Sequence, residues 1–321
     1  MLAIACPGQG SQTPGFLAPW LELPGVREHL ERLSDRAGTD LVRHGTTSDE
    51  ETIKDTAVAQ PLIVAAGLVT ARLLLTGHTM TAATVVAGHS VGELTASGIA
   101  GALTEDDAVA FVRVRANAMA GAAAATPTGM SAVLGGDPEE VAARLAHLGL
   151  TAANANGGGQ VVAAGTLEQL AGLAENPPAK ARVIALKVAG AFHTAHMAPA
   201  VTALEELRPT LTPADPTATL MSNYDGKPIA TGQGNLDSLI AQVSRPVRWD
   251  LCMGSMQAMG VTGMVELSPA GTLTGLARRG MRGTATLAVK SPEDLDAARS
   301  FIEEHSRTTD PVTAPISEGP Q

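Results

Sequence analysis

A serine set between glycines, after an apolar run and before a helical one, is where this chain could do covalent chemistry. Gly88-His89-Ser90-Val91-Gly92 is a complete G-x-S-x-G pentapeptide. Val85-Val86-Ala87 reads as a short strand before it, and Glu93 to Ile99 reads as a helix after it, the context this motif requires. The glycines allow a tight turn that strains the serine backbone, exposes the Ser90 hydroxyl and aims the following N–H groups at the same point. A serine hydroxyl is a weak nucleophile until a base takes its proton. The eight histidines are His29, His44, His78, His89, His147, His193, His196 and His305. His193 and His196 follow a buried strand and lie where a loop can reach a site; on the residues alone they weigh equally. His89 points away from the serine in a standard elbow. No particular acid stands out as a third member.

The remaining elements must hold that serine in place. Residues 2–6 read as a buried strand stopped by Pro7-Gly8. The loop Pro7 to Gly15 is glycine-rich but matches neither G-x-G-x-x-G nor a P-loop, and no lysine follows it. Residues 26–37 and 57–75 read as helices, the second nearly all apolar and therefore buried. Thr104-Glu-Asp-Asp107 caps a helix running through Met119. Arg115 lies on that mostly apolar helix. Its residues alone allow a carboxylate partner, a charge near a helix C-terminus or a solvated side chain. Arg113, two residues earlier, is on a different face. From 128 to 189 the rhythm changes to strand (Met130–Leu134), helix (Asp137–Leu148), two strands (Thr151–Asn156, Gln160–Ala164), helix (Thr166–Ala174) and strand (Arg182–Val188). This β-α-β-β-α-β order is the ferredoxin-like pattern. The expected class is therefore α/β, a parallel-sheet domain (1–127 and 190–305) interrupted by a small ferredoxin-like domain (128–189). After the insertion come a helix (Ala198–Glu206), a turn at Asn223–Gly226, a helix holding Trp249 and Leu251, and a strand at Val261–Leu267. Residues 306–321 read as a disordered tail.

Composition narrows the chemistry. The 321 residues are 45% hydrophobic, enough for a large core with a small appended domain. Lys+Arg number 22 against Asp+Glu 32, a net charge of −10, which disfavours nucleic acid as a general partner. Cys6 and Cys252 form no CxxC or Cys/His cluster, so no structural zinc site is expected, and both read as reduced buried thiols. The N-terminus lacks the basic and apolar regions of a leader, and uncharged stretches such as Leu73 to Gly92 are broken by Gly, Thr and His. A cytoplasmic protein with no membrane span is the expectation.

Taken together, these segments resemble the malonyl-CoA:acyl carrier protein transacylases of fatty acid and polyketide synthesis. The resemblance rests on Pro7-Gly-Gln-Gly-Ser-Gln12, Gln60-Pro61, Gly88-His-Ser-Val-Gly-Glu93, Arg115-Ala-Asn-Ala-Met119, Asn156 to Gly165, Phe192-His193, Pro246-Val-Arg-Trp249 and Leu267-Ser-Pro-Ala-Gly271, in the family's order over nearly the whole chain. It implies an α/β-hydrolase-like larger domain, with Ser90 as nucleophile and His193 as base. In place of a triad acid it implies a backbone carbonyl near Ser244 to Trp249. Gln9 and Val91 match the backbone donors of the oxyanion hole, where one lost donor costs roughly 10²–10³ in rate. Arg115 matches the partner of the malonyl carboxylate, a role suited to a planar guanidinium. Gln60, Met119, Asn156 and Phe192 match the acyl-pocket lining. The implied partners are malonyl-CoA and an acyl carrier protein. Two rivals remain at this point, a serine hydrolase or thioesterase that shares the elbow, and a non-catalytic carrier-binding module, which intact Ser90 and His193 argue against. The fatty acid or polyketide pathway, the cognate carrier protein and the oligomeric state stay open.

Overall fold

Two short runs of small apolar residues, Leu2–Cys6 and Thr84–Gly88, lie side by side as fully buried parallel strands. The computed structural model describes residues 1–306. In chain order its strands are β1 (Leu2–Cys6), β2 (Thr84–Gly88), β3 (Thr128–Gly135), β4 (Thr151–Gly157), β5 (Gln160–Thr166), β6 (Ala181–Ala185), β7 (Thr219–Met221), β8 (Pro228–Ile229), β9 (Val247–Arg248), β10 (Gly263–Glu266) and β11 (Ala285–Ala288). They form two sheets. The larger has the order β11-β10-β1-β2-β7-β8, parallel except for β8. The smaller has the order β6-β3-β5-β4-β9. In it β6, β3, β5 and β4 alternate in direction, and β9 joins β4 in parallel.

The larger sheet is covered on both faces, as an apolar parallel sheet must be. Leu2, Ile4 and Cys6 point into one layer with the helices Thr56–Leu74 and Glu105–Ala125, while Ala3 and Ala5 point into the other, against Trp249 and Cys252. Helix Thr56–Leu74 is long and apolar enough to cross a membrane, yet 78% of its most apolar stretch is buried inside the protein. Gly67 brings it onto the helix Gly92–Ile99: a Cβ there would lie 2.6 Å from Thr95 Cγ2. The small sheet packs Val133, Ala163, Leu145 and Leu173 into a core of its own.

Several expectations shift. The helix opened by Thr104 runs to Ala125, not Met119, because the alanines at 122–125 favour its continuation; Arg115 is therefore mid-helix and not a C-terminal charge. The strand expected over Arg182–Val188 ends at Ala185, although Leu186 N–H still bonds Met130 O at 2.9 Å before the chain turns toward the cleft. The return segment lends β9 to the small sheet, a pairing that crosses the expected 128–189 boundary. Ser306 closes a helix, Leu295–Ser306; the rest of the expected disordered tail lies outside the described residues. Cys6 and Cys252 are free and buried.

Candidate active site

The register of β1 with β2 pairs Cys6 with Gly88, so two loops leave the carboxyl ends of neighbouring strands together. One is the Gln9 loop and the other the serine turn. Their glycines are required by contact. A Cβ on Gly88 would lie 2.0 Å from Gly92 C, one on Gly92 2.2 Å from Cys6 O, and one on Gly8 2.6 Å from His89 O. Ser90 sits between them at φ 54°, a conformation that costs about 1–3 kcal/mol outside glycine and persists only when the surroundings enforce it. Asn223 supplies part of that enforcement. Its Oδ1 accepts the Ser90 N–H at 2.8 Å and its Nδ2 donates to Gly88 O at 2.7 Å.

The Ser90 hydroxyl faces His193 Nε2 at 2.7 Å. On the other side of the ring, His193 Nδ1 faces the backbone carbonyl of Gln242 at 2.9 Å. A carbonyl only accepts, so Nδ1 carries the proton and Nε2 is free to take one from serine. Below the pair lies Arg115, 1% exposed. Its Nη1 donates to Gln60 Oε1 at 2.6 Å, and its Nη2 to Gln242 Oε1 at 2.9 Å and to Ser90 Oγ at 3.3 Å. Among the described residues no carboxylate lies within ion-pair distance of it. A hydroxyl, an imidazole with a free ring nitrogen and a buried guanidinium with only uncharged partners thus meet at one point, an arrangement able to support nucleophilic acyl chemistry.

Residues 5–309 match the family described as acyl transferase domain. The chain belongs to the acyl transferase family. A curated member from Mycobacterium tuberculosis, a malonyl CoA-acyl carrier protein transacylase, is 54% identical over 301 residues, 92% of this chain and 98% of the relative. The crystal structure of MCAT from the same organism superposes with a TM-score of 0.89 at 53% identity, covering 93% of this chain and 99% of that one. A malonyl-transacylase solved in complex with its holo type II PKS acyl-carrier protein superposes with a TM-score of 0.87 at 28% identity, covering 93% and 99%.

In this acyl transferase the two sheets enclose a cavity of about 250 Å³. Gln9, Gln60, Ser90, Val91, Met119, Asn156, Phe192 and His193 all line it, so the expected residues other than Arg115 share one wall system. Arg115 lies beneath the cavity and touches it through Ser90. The side chain of Gln9 is occupied by Lys54 O and Thr56 Oγ1, both at 3.4 Å, while the backbone N–H groups of Gln9 and Val91 have no protein acceptor among the described residues. Asn156 Oδ1 accepts from His89 Nε2 at 2.9 Å and so links β4 to the serine turn; Gln60 Nε2 contacts Met119 Sδ at 3.6 Å. His89 is directed toward Asn156 and the edge of Trp249, away from the serine hydroxyl as expected. His196 is exposed, and Arg113 is on the outer face of its helix.

One expectation is made specific. The carbonyl that orients His193 belongs to Gln242, upstream of the expected 244–249 loop, because the helix Gly232–Gln242 ends there and its last carbonyls have no helical donors. The sequence reading also missed the side chains of Asn223, Gln242 and Glu93. In the sequence Asn223 stands only within a turn, and Gln242 carries no signal. Glu93 had one: an acid three residues after the serine on an otherwise apolar helix, and it is 3% exposed.

Burial, with Arg115 nearby, pushes the His193 imidazole down to about 3. The ring then stays neutral far below its ordinary 6.5, and an unfolded chain would bind its proton first between those values. His193 therefore adds stability that is lost as pH falls from about 6.5 toward 3. For chemistry the same depression keeps the base competent in mild acid. Modification of Ser90 by a neutral sulfonyl fluoride, followed by mass spectrometry across pH, should have its acid midpoint below 6; a midpoint at or above the ordinary imidazole value would refute the buried-base description.

Proposed function

We propose that the protein transfers the malonyl group of malonyl-CoA to the phosphopantetheine thiol of an acyl carrier protein through a malonyl-Ser90 intermediate. The observation that carries the reading is the Ser90–His193 pair standing over a buried arginine that has amide partners and no carboxylate. In the first half-reaction His193 Nε2 takes the hydroxyl proton as Ser90 Oγ bonds to the thioester carbon. The backbone N–H groups of Gln9 and Val91 receive the oxyanion, and the C–S bond then breaks as His193 returns its proton to the coenzyme A sulfur. In the second half the carrier thiol gives its proton to His193 and its sulfur bonds to the malonyl carbonyl carbon; the ester C–O bond then breaks as His193 returns the proton to Ser90 Oγ. Arg115 holds the malonyl carboxylate throughout. No metal or bound cofactor enters these steps.

In this reading the larger sheet with its helices is an α/β-hydrolase-like domain, 1–127 and 190–305, and 128–189 is a ferredoxin-like insertion; the strand order β6-β3-β5-β4 and the βαββαβ sequence support the second description. A carbonyl at His193 Nδ1 in place of an acid separates this site from a triad hydrolase. Exposed Arg182 and Lys187 in the 128–189 segment, and exposed Arg278, Arg279 and Arg282 on or just after the helix Thr272–Gly280, offer positive charge to an acidic carrier despite the chain's overall −10. Two free buried thiols accord with the cytoplasm.

The test is transfer from malonyl-, methylmalonyl- and acetyl-CoA, with and without holo carrier protein. Malonyl should reach the carrier with little free malonate, and methylmalonyl should be poorer because Phe192 crowds an α-methyl, an effect of about 1–3 kcal/mol. Rapid release of malonate without carrier would make the protein a hydrolase instead.

A further inference from the structure

The site contains a buried acid that the steps above do not use. Glu93 is 3% exposed, in the helix that starts behind the serine. One of its oxygens accepts the Asn223 N–H and the other the side-chain amide of Gln242. The same Gln242 amide donates to Ser90 O at 3.0 Å and accepts from Arg115 Nη2 at 2.9 Å. Gln242 therefore stands between a buried acid and a buried cation that never touch.

That amide has one consistent orientation. Arg115 can only donate, so Oε1 must face it; Ser90 O can only accept, so Nε2 must face the other way, toward Glu93. Reversal would set a carbonyl against two acceptors and an NH₂ against a guanidinium. Burial pushes the Glu93 carboxyl up, but both its oxygens face N–H donors, which a carboxylate satisfies and a protonated acid does not, so the geometry holds it ionised. Burial also lowers Arg115, to about 10, and the attraction of Glu93 opposes that fall. A carboxylate in direct contact with Arg115 would occupy the fork that a substrate needs. One held an amide away balances the charge and leaves the fork to exchange its neutral partners for an anion.

We propose that Glu93, acting through the side-chain amide of Gln242, is a positioning residue that fixes Arg115 in place with its fork free of any carboxylate, and so sets the preference for acyl groups ending in a carboxylate. This rests on the transacylase reading.

The experiment compares kcat and KM for malonyl-CoA and acetyl-CoA in the full chain carrying Glu93→Gln, Gln242→Glu or both, with sulfonyl fluoride labelling of Ser90 to count competent sites. Glu93→Gln should lower the malonyl-to-acetyl ratio of kcat/KM by roughly tenfold or more, the scale of a lost charged hydrogen bond, with most of the change in the KM for malonyl-CoA. Gln242→Glu puts an acid directly on Arg115 and should lower the ratio as well; it carries the same readout if Glu93→Gln fails to fold. The double variant conserves net charge and should stay low. An unchanged ratio in the folded single variants, an equal loss for both substrates, or a ratio restored in the double variant would overturn the role. Failure of the unaltered protein to transfer malonyl to any carrier would instead remove the transacylase reading.

Discussion

Incubated with malonyl-CoA alone, the protein should gain the mass of one malonyl group on the peptide containing Ser90, and Ser90→Ala should gain none. Among the described residues neither cysteine is placed to substitute. Cys6 and Cys252 are buried, and burial raises both thiols well above their ordinary range, so neither supplies a thiolate. His193→Ala should slow the labelling by about 10²–10⁴-fold, the usual contribution of a positioned base. Loss of the imidazole leaves Gln242 O with the Arg245 N–H at 3.1 Å, so the helix end keeps a donor and the fold should survive. Intact-protein mass spectrometry with a quenched time course measures all three proteins. A malonyl label on either cysteine, or on Ser90 at the normal rate in His193→Ala, would show the serine–histidine mechanism to be wrong.

The second large effect should come from Arg115. Malonyl differs from acetyl chiefly by its free carboxylate, and an unpaired carboxylate in a dry cleft is costly. Arg115→Ala removes the attraction for malonyl and leaves the side-chain oxygens of Gln60 and Gln242 without their donor. Malonyl kcat/KM should fall by the equivalent of about 3–5 kcal/mol, the cost of breaking a buried charge pair. Acetyl should lose far less, since it never made that pair. Arg115→Lys should rescue only in part. The guanidinium reaches Gln60 with one nitrogen and Gln242 and Ser90 with another, and a single ammonium cannot span those directions. The decisive quantity is the malonyl-to-acetyl ratio of kcat/KM. An unaltered ratio in Arg115→Ala would transfer the role elsewhere, and the structure weakens the obvious substitutes: Arg113 is exposed, and Arg248 is paired with Asp250 at 2.8 Å.

Local chemistry made much of this legible before any coordinates. The elbow could be read because its glycines are demanded by contacts within a few residues and by the strand beside it. The long helices at 26–37 and 56–74 could be read because apolar spacing over many residues is a strong signal. The βαββαβ segment could be read because each strand and each cap, such as Thr166 with Gln169, is signalled by its own neighbours. By contrast, β7, β8, β9 and β11 have two to four residues each, too few to show a period, and they exist because a sheet edge is there to receive them. The helices Gly232–Gln242 and Thr272–Gly280 were also missed, with glycines inside them that weaken the helical pattern.

The amino-acid sequence by itself carries the G-x-S-x-G turn, the mixed α/β class and the βαββαβ order, because those depend on interactions between residues close along the chain. Tertiary structure alone decided between His193 and His196, since only one of two equally plausible loop histidines comes within 2.7 Å of a serine 103 residues away. It also decided that Gln242 both orients the base and contacts Arg115, and that Asn223, 133 residues from Ser90, holds the serine turn in place. These are single hydrogen bonds between distant segments. They have no period, no spacing and no local composition, and they form only after burial has brought the segments together and left each polar group in need of a partner.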